Sequence, residues 1–484
     1  MTSGRARACI LALAALIWAF WNLRLHLLWR ANQLPAYDFG VFTQIAWSLG
    51  HRSPLADQRM SLLNGVHWLG DHFQPIVAVD APFVALIGPI GQILVETTAV
   101  VLGLVPLTRL ALRHTSPLVA IGIAAIWLLN PGTWYAVLFP VHPSTLVAPL
   151  LVALVDAGER GRWRWMGGWA FLALCCKEDV GFYLAAIGLW LAFARGFRGP
   201  GLVLAAVGAV TAVVCVHWVV PGFRGAEWHI FELAPRLREG GWVNPVRDAA
   251  VALDSSDKRQ LILTTVASAG FLPLADPLGL ALVPFLAERL LGANPNHTLA
   301  TFHYGGPAVA ITSTAALFAA ERIRARVAAK TSADGIMVGA MLLGCLCSHL
   351  AILGTGGRTD TPPTTLSLLT DPSGARTADE AAVDDAVALI PQNASVLAQD
   401  TLVARLADRV RVGILTHQPP GLYEYILVDP ALPCATGKAP LVDMIRRYDA
   451  SPDYGLIYAR GSVALWRRGV ADVVVLPLTT GAGP

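Results

Sequence analysis

Charged residues are scarce in this sequence. Only 14% of its 484 residues are Asp, Glu, Lys or Arg, whereas 55% are hydrophobic. Soluble proteins carry about 25% charged residues, so the composition excludes an ordinary soluble protein. Several apolar runs approach the roughly 20 residues that cross a bilayer. The net charge of +3 is small, and no basic patch interleaved with aromatic residues indicates a nucleic-acid partner.

The motifs of several enzyme classes are also missing. The sequence contains no Walker loop, no Gly-x-Ser-x-Gly elbow, no His-Glu-x-x-His and no Rossmann glycine fingerprint, which argues against soluble nucleotide-driven chemistry. Of seven cysteines, only Cys434 lies outside the apolar runs. The cysteine spacing matches neither a disulfide framework nor a zinc site.

A cleavable signal peptide is not indicated either. Arg5 and Arg7 precede an apolar run, Cys9 to Trp21, but no small-x-small cleavage site follows it. We therefore predict an uncleaved first helix with a cytoplasmic N-terminus. Placing the most basic loops in the cytoplasm gives about 11 crossings of the cytoplasmic membrane. Residues 75–113 carry several prolines and are predicted to form a re-entrant half-span followed by a full span.

The composition changes near residue 354. Residues 1–353 are predicted to form a polytopic α-helical transmembrane domain, in which residues 29–74 are the first outer loop with an amphipathic helix. Residues 354–374 form a linker rich in Gly, Thr and Pro. In residues 375–484 short strands alternate with helices, which predicts a small α/β domain. Its predicted elements include the strands Ser395–Ala398 and Tyr425–Val428 and the helix Leu402–Asp408. The parity of the crossings places this domain outside the cytoplasm.

Ionisable residues that are costly in a membrane fall at the outer ends of the predicted spans. A charge at mid-bilayer depth costs roughly 2.5–3.5 kcal/mol, and such groups usually face a cavity or each other. The pattern predicts one polar pocket that opens outward. Its candidate residues are Asp38, Asp71, His72, His142, Lys177, Glu178, Asp179, Glu288, Arg289 and His303.

Each candidate has a structural alternative. Asp38 suits a catalytic carboxylate, but it also suits the N-cap of the amphipathic helix. Asp71 and His72 suit a divalent cation, yet both could be plain interfacial residues. In the same way, His142 could cap a helix start, Lys177 to Asp179 could form an exposed loop, and Arg289 could pair with Glu288 within one helix.

Among the charged candidates, the triplet Lys177-Glu178-Asp179 favours function over an exposed loop. Its three charges interrupt a long apolar run without the Gly, Pro, Ser or Asn of a solvated loop. Lys177 suits an anionic group as a point charge. His303 could form a wall of the same pocket.

The ordered motifs resemble a known family. Tyr37-Asp38-Phe39-Gly40, Asp71-His72-Phe73-Gln74-Pro75, Val141-His142-Pro143, Lys177-Glu178-Asp179 and Phe302-His303-Tyr304 occur in this order. Together they resemble a family of prokaryotic polytopic membrane proteins known only as a domain of unknown function. That family is similar to the C-type glycosyltransferase (GT-C) superfamily, whose members take sugar from a polyprenyl-phosphate donor at the outer membrane face.

The resemblance implies roles for several residues. In the superfamily an acidic residue of the first outer loop is the catalytic base, often beside a second acid and a divalent metal; Asp38 matches it by position, while position 40 is Gly. Lys177, helped by Arg289 or a histidine, would stabilise the departing lipid phosphate. His72 and His142 would shape the pocket or hold a metal. The sequence does not identify any other cofactor.

Three functions follow from these observations. The first is a glycosyltransferase that acts on a membrane-lipid donor and a glycan or lipid acceptor of the cell envelope. The second is a transporter or lipid-handling protein that uses the same cavity, with Lys177-Glu178-Asp179 as a binding or proton-coupling site. The third is a non-catalytic scaffold that displays the C-terminal domain.

Overall fold

The computed structural model describes most of the chain. The described residues are 2–30, 32, 34, 36–50, 59–63, 65–139, 141–225, 250–251, 253–353, 380–415, 423–432 and 438–471. The predicted linker, residues 354–374, and Cys434 lie outside them.

The chain forms two compact units, and neither is continuous in sequence. The first unit comprises Met1–Trp21, His72–Ile76 and Glu96–Gly356. The second unit comprises Asn22–Asp71, Val77–Val95 and Gly357–Pro484. The second unit therefore combines the first predicted outer loop with the C-terminal segment.

Helices occur in both units. They are α1 (Ser3–Arg30), α2 (Ala36–Gly50), α3 (Ala81–Ile87), α4 (Ile90–Leu102), α5 (Leu104–His114), α6 (Pro117–Leu129), α7 (Pro131–Leu138), α8 (Val147–Glu159), α9 (Trp163–Leu174), α10 (Val180–Phe193), α11 (Arg198–Val214), α12 (Val220–Arg224), α13 (Ser256–Ala267), α14 (Leu282–Leu291), α15 (Gly306–Arg326), α16 (Lys330–Leu353), α17 (Glu380–Ala388) and α18 (Lys438–Asp449).

Long apolar helical stretches confirm a membrane protein. Within the described residues, those long and apolar enough to cross a bilayer are Ser3–Arg30, Ile90–His114, Pro117–Leu138, Arg198–Arg224 and Lys330–Ile352. Within residues 75–113, the short helix α3 precedes the nearly continuous pair α4 and α5. The number of crossings stays a prediction.

The stretch Pro117–Leu138 is broken at Asn130-Pro131, and side chains satisfy the freed backbone groups. The Asn130 side chain accepts a hydrogen bond from Gly132 N at 2.8 Å. Thr133 Oγ1 donates to the Trp127 carbonyl at 2.7 Å, and His349 Nε2 lies 2.7 Å from the Leu129 carbonyl. Because lipid offers no hydrogen bonds, a broken helix at membrane depth needs such partners.

Helices α10 and α11 approach closely because small residues line their contact. A Cβ on Gly188 would lie 2.6 Å from the Gly201 carbonyl oxygen, and the reverse distance is also 2.6 Å. Small residues at such a contact let helix backbones pack within a membrane. This pair fixes the start of α10, which follows directly on Lys177-Glu178-Asp179.

The second unit contains a five-stranded sheet. Its strand order is β4 (Arg411–Ile414), β3 (Ser395–Ala398), β5 (Tyr425–Val428), β7 (Val463–Arg468) and β6 (Tyr454–Arg460). Strand β3 pairs in parallel with β4 and β5, while β7 pairs antiparallel with β5 and β6. All four residues of β3 are buried, as expected for a central parallel strand.

These elements confirm the small α/β domain predicted for the C-terminal segment. Strands β3 and β5 match the predicted bounds. The helix predicted at residues 402–408 is instead a 3-10 helix, Asp400–Arg405. A further two-stranded ribbon joins β1 (Arg59–Met60) to β2 (Val66–His67).

Candidate functional site

The charged triplet Lys177-Glu178-Asp179 forms the tight connection between α9 and α10. Glu178 and Asp179 are buried, and the Lys177 side chain is only 14% exposed. Ile76 N donates to the Cys175 carbonyl at 3.0 Å, which brings the segment after His72 against this connection. The triplet is thus enclosed by protein, unlike a solvated loop.

Glu178 forms hydrogen bonds with the neighbouring segment at His72 and Phe73. One carboxylate oxygen lies 2.9 Å from His72 Nδ1, and the other accepts from Phe73 N at 2.9 Å. Burial alone would raise the pKa of Glu178, but the charge of His72, its hydrogen bond and Lys177 together lower the pKa. Glu178 is therefore an ionised acceptor that joins two distant parts of the chain.

Lys177 and Arg289 share one carboxylate oxygen. Glu288 Oε1 lies 3.8 Å from Lys177 Nζ and 3.6 Å from Arg289 Nη1. The other oxygen of Glu288 lies 3.4 Å from the Tyr183 hydroxyl, and Lys177 Nζ also lies 3.4 Å from Asp179 Oδ2. Two cations and two acids therefore form one cluster between the start of α10 and the end of α14.

Arg289 is buried without full hydrogen bonding. It is 2% exposed, and among the described residues neither its Nε nor its Nη1 reaches a hydrogen-bond acceptor. Its guanidinium carbon lies 4.1 Å from the ring centre of Tyr304 and 5.5 Å from that of Phe285. Because a buried donor without a partner is costly, this guanidinium is suited to receive an anion.

Two histidines stack beside Tyr304. The rings of His142 and His303 lie 3.4 Å apart at an angle of 12°, and His303 lies 4.0 Å from Tyr304. His142 follows Val141, a β-branched residue with a φ of 65°. Glu96 holds this unusual backbone, because its carboxylate accepts hydrogen bonds from the backbone N–H groups of Val141 and His142.

Two histidines near Lys177 and Arg289 have lowered pKa values. Burial, together with Arg289 and Lys177, lowers the pKa of His297 to about 3. The pKa of His303 is also lowered, by burial, by His142 and by the same two cations. Both imidazoles are therefore neutral at physiological pH.

The pKa of Asp179 is raised instead of lowered. Burial raises its pKa to about 7; Lys177 opposes the shift, whereas the Glu288 charge adds to it. Its ionisation thus changes the charge of the cluster near neutral pH.

A small, mainly apolar cleft adjoins this cluster. Tyr304 and Phe285, which contact Arg289, form part of its wall. The hydroxyls of Thr264, Thr265 and Thr312 in the wall donate back to carbonyls of their own helices at 2.7–2.8 Å. Because these hydroxyls donate within their own helices, the methyl groups of the threonines add to the apolar part of the wall.

The structure brings together all the predicted site residues of the first unit. His72, His142, Lys177, Glu178, Asp179, Arg289 and His303 form one continuous set of contacts. Asp38 and Asp71 belong to the second unit. Asp38 is half-buried in the first turn of α2, and Asp71 follows the 3-10 helix Trp68–Gly70. The roles of all these residues stay predictions.

Sequence reasoning missed two buried acids and one ion pair. Glu288 is among the predicted pocket residues and pairs with Arg289, but its second partner, Lys177, was not predicted. Glu96 is the one acid within α4, and its place in a predicted span was a usable signal. Asp80, before Ala81-Pro82, resembles an N-cap; instead its Oδ2 accepts from Gln92 Nε2 at 3.2 Å.

One known protein family matches most of the chain. The family described as Predicted membrane protein (DUF2079) matches residues 30–435. No curated protein matches the chain in sequence.

The chain also resembles solved structures. ArnT from Cupriavidus metallidurans bound to undecaprenyl phosphate is 14% identical, with 96% of this chain and 98% of that chain covered and a TM-score of 0.54. The apo ArnT structure is 13% identical, with coverage of 95% and 97% and a TM-score of 0.49. The first likeness confirms the predicted fold class, a GT-C-like helical membrane protein with a small C-terminal sheet domain.

Proposed function

This chain belongs to the DUF2079 family of predicted membrane proteins, and we propose that it is a membrane glycosyltransferase. It moves a sugar from a polyprenyl-phosphate donor to a glycan or lipid acceptor of the cell envelope. The reaction takes place at the outer face of the cytoplasmic membrane, with the N-terminus inside and the C-terminal segment outside.

The buried cation pair carries this proposal. Lys177 and Arg289 lie around one carboxylate oxygen, and Arg289 keeps two nitrogens without acceptors among the described residues. The adjoining cleft is mainly apolar. An anionic group with a hydrocarbon chain suits both surfaces at once. The fold shared with ArnT, solved with undecaprenyl phosphate bound, supports a polyprenyl phosphate as that lipid.

In the proposed transfer, the acid Asp38 and the cations Lys177 and Arg289 have different roles. Asp38 accepts the proton of the acceptor hydroxyl as general base, so the hydroxyl oxygen bonds to the anomeric carbon. The bond from that carbon to the phosphate oxygen breaks, and its electron pair stays on the lipid phosphate. Lys177 and Arg289 stabilise that charge by electrostatics and hydrogen bonding. His72, His142 and His303 surround the reacting groups.

Separate variants test binding and transfer. In purified full-length protein, Arg289→Ala should weaken binding of a polyprenyl-phosphate sugar by about 30-fold or more, since it removes a buried charged partner. Arg289→Lys should retain part of the affinity, and the exposed Arg446→Ala should change nothing. Asp38→Asn should keep the binding but lower transfer by about 100-fold or more.

The same experiments give a different outcome for each alternative function. Unchanged transfer in Asp38→Asn would remove Asp38 from the mechanism. Lipid binding that depends on Arg289, with no transfer by the wild type to any envelope acceptor, would indicate a lipid-handling protein. Binding that is insensitive to Arg289 would refute the anion site itself.

A further inference from the structure

Helix α2, which carries Asp38, contacts the C-terminal segment within the second unit. We infer that this segment positions α2, and that Gly40, Gln44 and Val403 are the residues that do so. The inference rests on the proposed function only for the role of Asp38. It gives the C-terminal α/β segment a task in placing the base.

The first contact is steric. A Cβ on Gly40 would overlap Cγ1 of Val403 and lie 3.7 Å from Leu62 Cδ1. Val403 is fully buried in the 3-10 helix that follows β3, and a β-branched side chain has little rotational freedom. Only glycine therefore lets α2 lie at this distance from Val403.

The second contact is polar and lies one turn further along α2. Gln44 is buried, and its Nε2 donates to the Val410 carbonyl at 3.3 Å, directly before β4. Residues four apart share one face of a helix. Gly40 and Gln44 therefore present a single face of α2 to the segment between β3 and β4.

The end of α1 is tied to the same part of the chain. Arg30 forms two hydrogen bonds with Glu380, at 2.7 and 3.1 Å. The Arg405 guanidinium carbon lies 4.4 Å from the ring centre of Trp29. The C-terminal segment thus holds the chain just before α2 as well as along it.

Gly40 is also the position at which this chain departs from the GT-C pattern. The second acid of that pattern would stand here, two residues after Asp38, and a side chain at this position would overlap Val403. The space that a second carboxylate would need is occupied by the C-terminal segment. Glycine at this position serves helix placement, and Asp38 moves with α2 because it lies in the same rigid helix.

A reciprocal pair of substitutions tests the steric contact. In the full chain, Gly40→Ala should speed hydrogen exchange of α2 amides about tenfold, as expected for an overpacked contact, and leave β3 and β5 amides unchanged. Adding Val403→Ala removes the overlapping methyls and should restore slow exchange. Gly168→Ala is the matched control, because nothing lies within 4 Å of a Cβ there.

Transfer kinetics distinguish positioning from general stability. Gly40→Ala should lower kcat with the KM for the donor unchanged, and Gly40→Ala/Val403→Ala should restore kcat. Gln44→Met adds no bulk and should speed α2 exchange in the same direction. It keeps the test decisive if Gly40→Ala does not fold.

The outcomes separate this inference from the proposed function. Unchanged α2 exchange in both Gly40→Ala and Gln44→Met, or no rescue of Gly40→Ala by Val403→Ala, would overturn the inference. If the wild type transfers no sugar, the proposed function fails, yet the exchange data still decide whether the C-terminal segment holds α2.

Discussion

Two polar regions of this molecule are held in place by different forces. In the first unit, Lys177, Glu288 and Arg289 are held by charge, with ion-pair distances of 3.6–3.8 Å in a buried site. In the second unit, α2 is held by close packing at Gly40 and by neutral hydrogen bonds from Thr43 and Gln44. Buried charges therefore hold the first region, whereas close packing fixes the orientation of α2 in the second.

The difference has an energetic basis. Buried charges pay a desolvation cost that only well-placed partners offset, and removing one partner leaves the others uncompensated. Packing contacts fail instead when volume is added. The charge cluster should therefore be sensitive to pH and to charge removal, and α2 should be sensitive to side-chain size.

The largest expected effect comes from breaking the charge cluster. Glu288→Leu removes the carboxylate that Lys177 and Arg289 share, and it should lower the free energy of unfolding by about 3–5 kcal/mol. Denaturant titration of the full chain in mixed micelles measures the loss. The exposed pair Arg446–Asp443, 3.4 Å apart, provides the control, since Asp443→Ala should have no measurable effect. A similar, negligible loss in Glu288→Leu would show that charge does not hold this region.

A smaller loss is expected at Glu178. Glu178→Gln places an amide where the carboxylate accepts from both His72 and Phe73, and should cost about 1.5–3 kcal/mol. Because the pKa of Glu178 is lowered on folding, its contribution is complete above the ordinary glutamate pKa and is lost as pH falls through the folded value. Stability measured against pH should show this acid loss in the wild type and lack it in the variant.

The pH dependence of binding gives a third test of the charged region. Asp179, whose pKa is raised to about 7, becomes negative as pH rises through that value. Affinity for a polyprenyl phosphodiester, whose charge is constant in this range, should fall about tenfold from roughly pH 6 to 8. Asp179→Asn should bind equally at both ends of that range. A pH-dependent variant would assign the effect to another group.

The smallest effect is expected on the α2 side. Thr43 Oγ1 donates to Gln92 Oε1 at 2.8 Å in a buried site, so Thr43→Val keeps the shape but removes this bond. The cost should be about 1 kcal/mol, measured by hydrogen exchange of α2 amides. Equal sensitivity of α2 to Thr43→Val and to Gly40→Ala would contradict the dominance of packing in this region.

Local sequence patterns predicted much of the fold and part of the candidate site. Strands β3 and β5 were identified because apolar β-forming residues have a short-range signature. Lys177-Glu178-Asp179 was conspicuous because its charges interrupt an apolar run, a feature readable without a partner. Asp80 was missed because an acid before Ala-Pro resembles an ordinary helix cap.

The sequence by itself determined a membrane protein with a small C-terminal α/β segment, and it marked the ionisable residues that such a protein would not carry without cause. Only the tertiary structure decided that Glu288 joins Lys177 to Arg289, and that Gly40 meets Val403. The physical reason is distance along the chain. Hydrophobic periodicity is set by neighbouring residues, whereas ion pairing and steric fit depend on which remote segments the fold brings into contact.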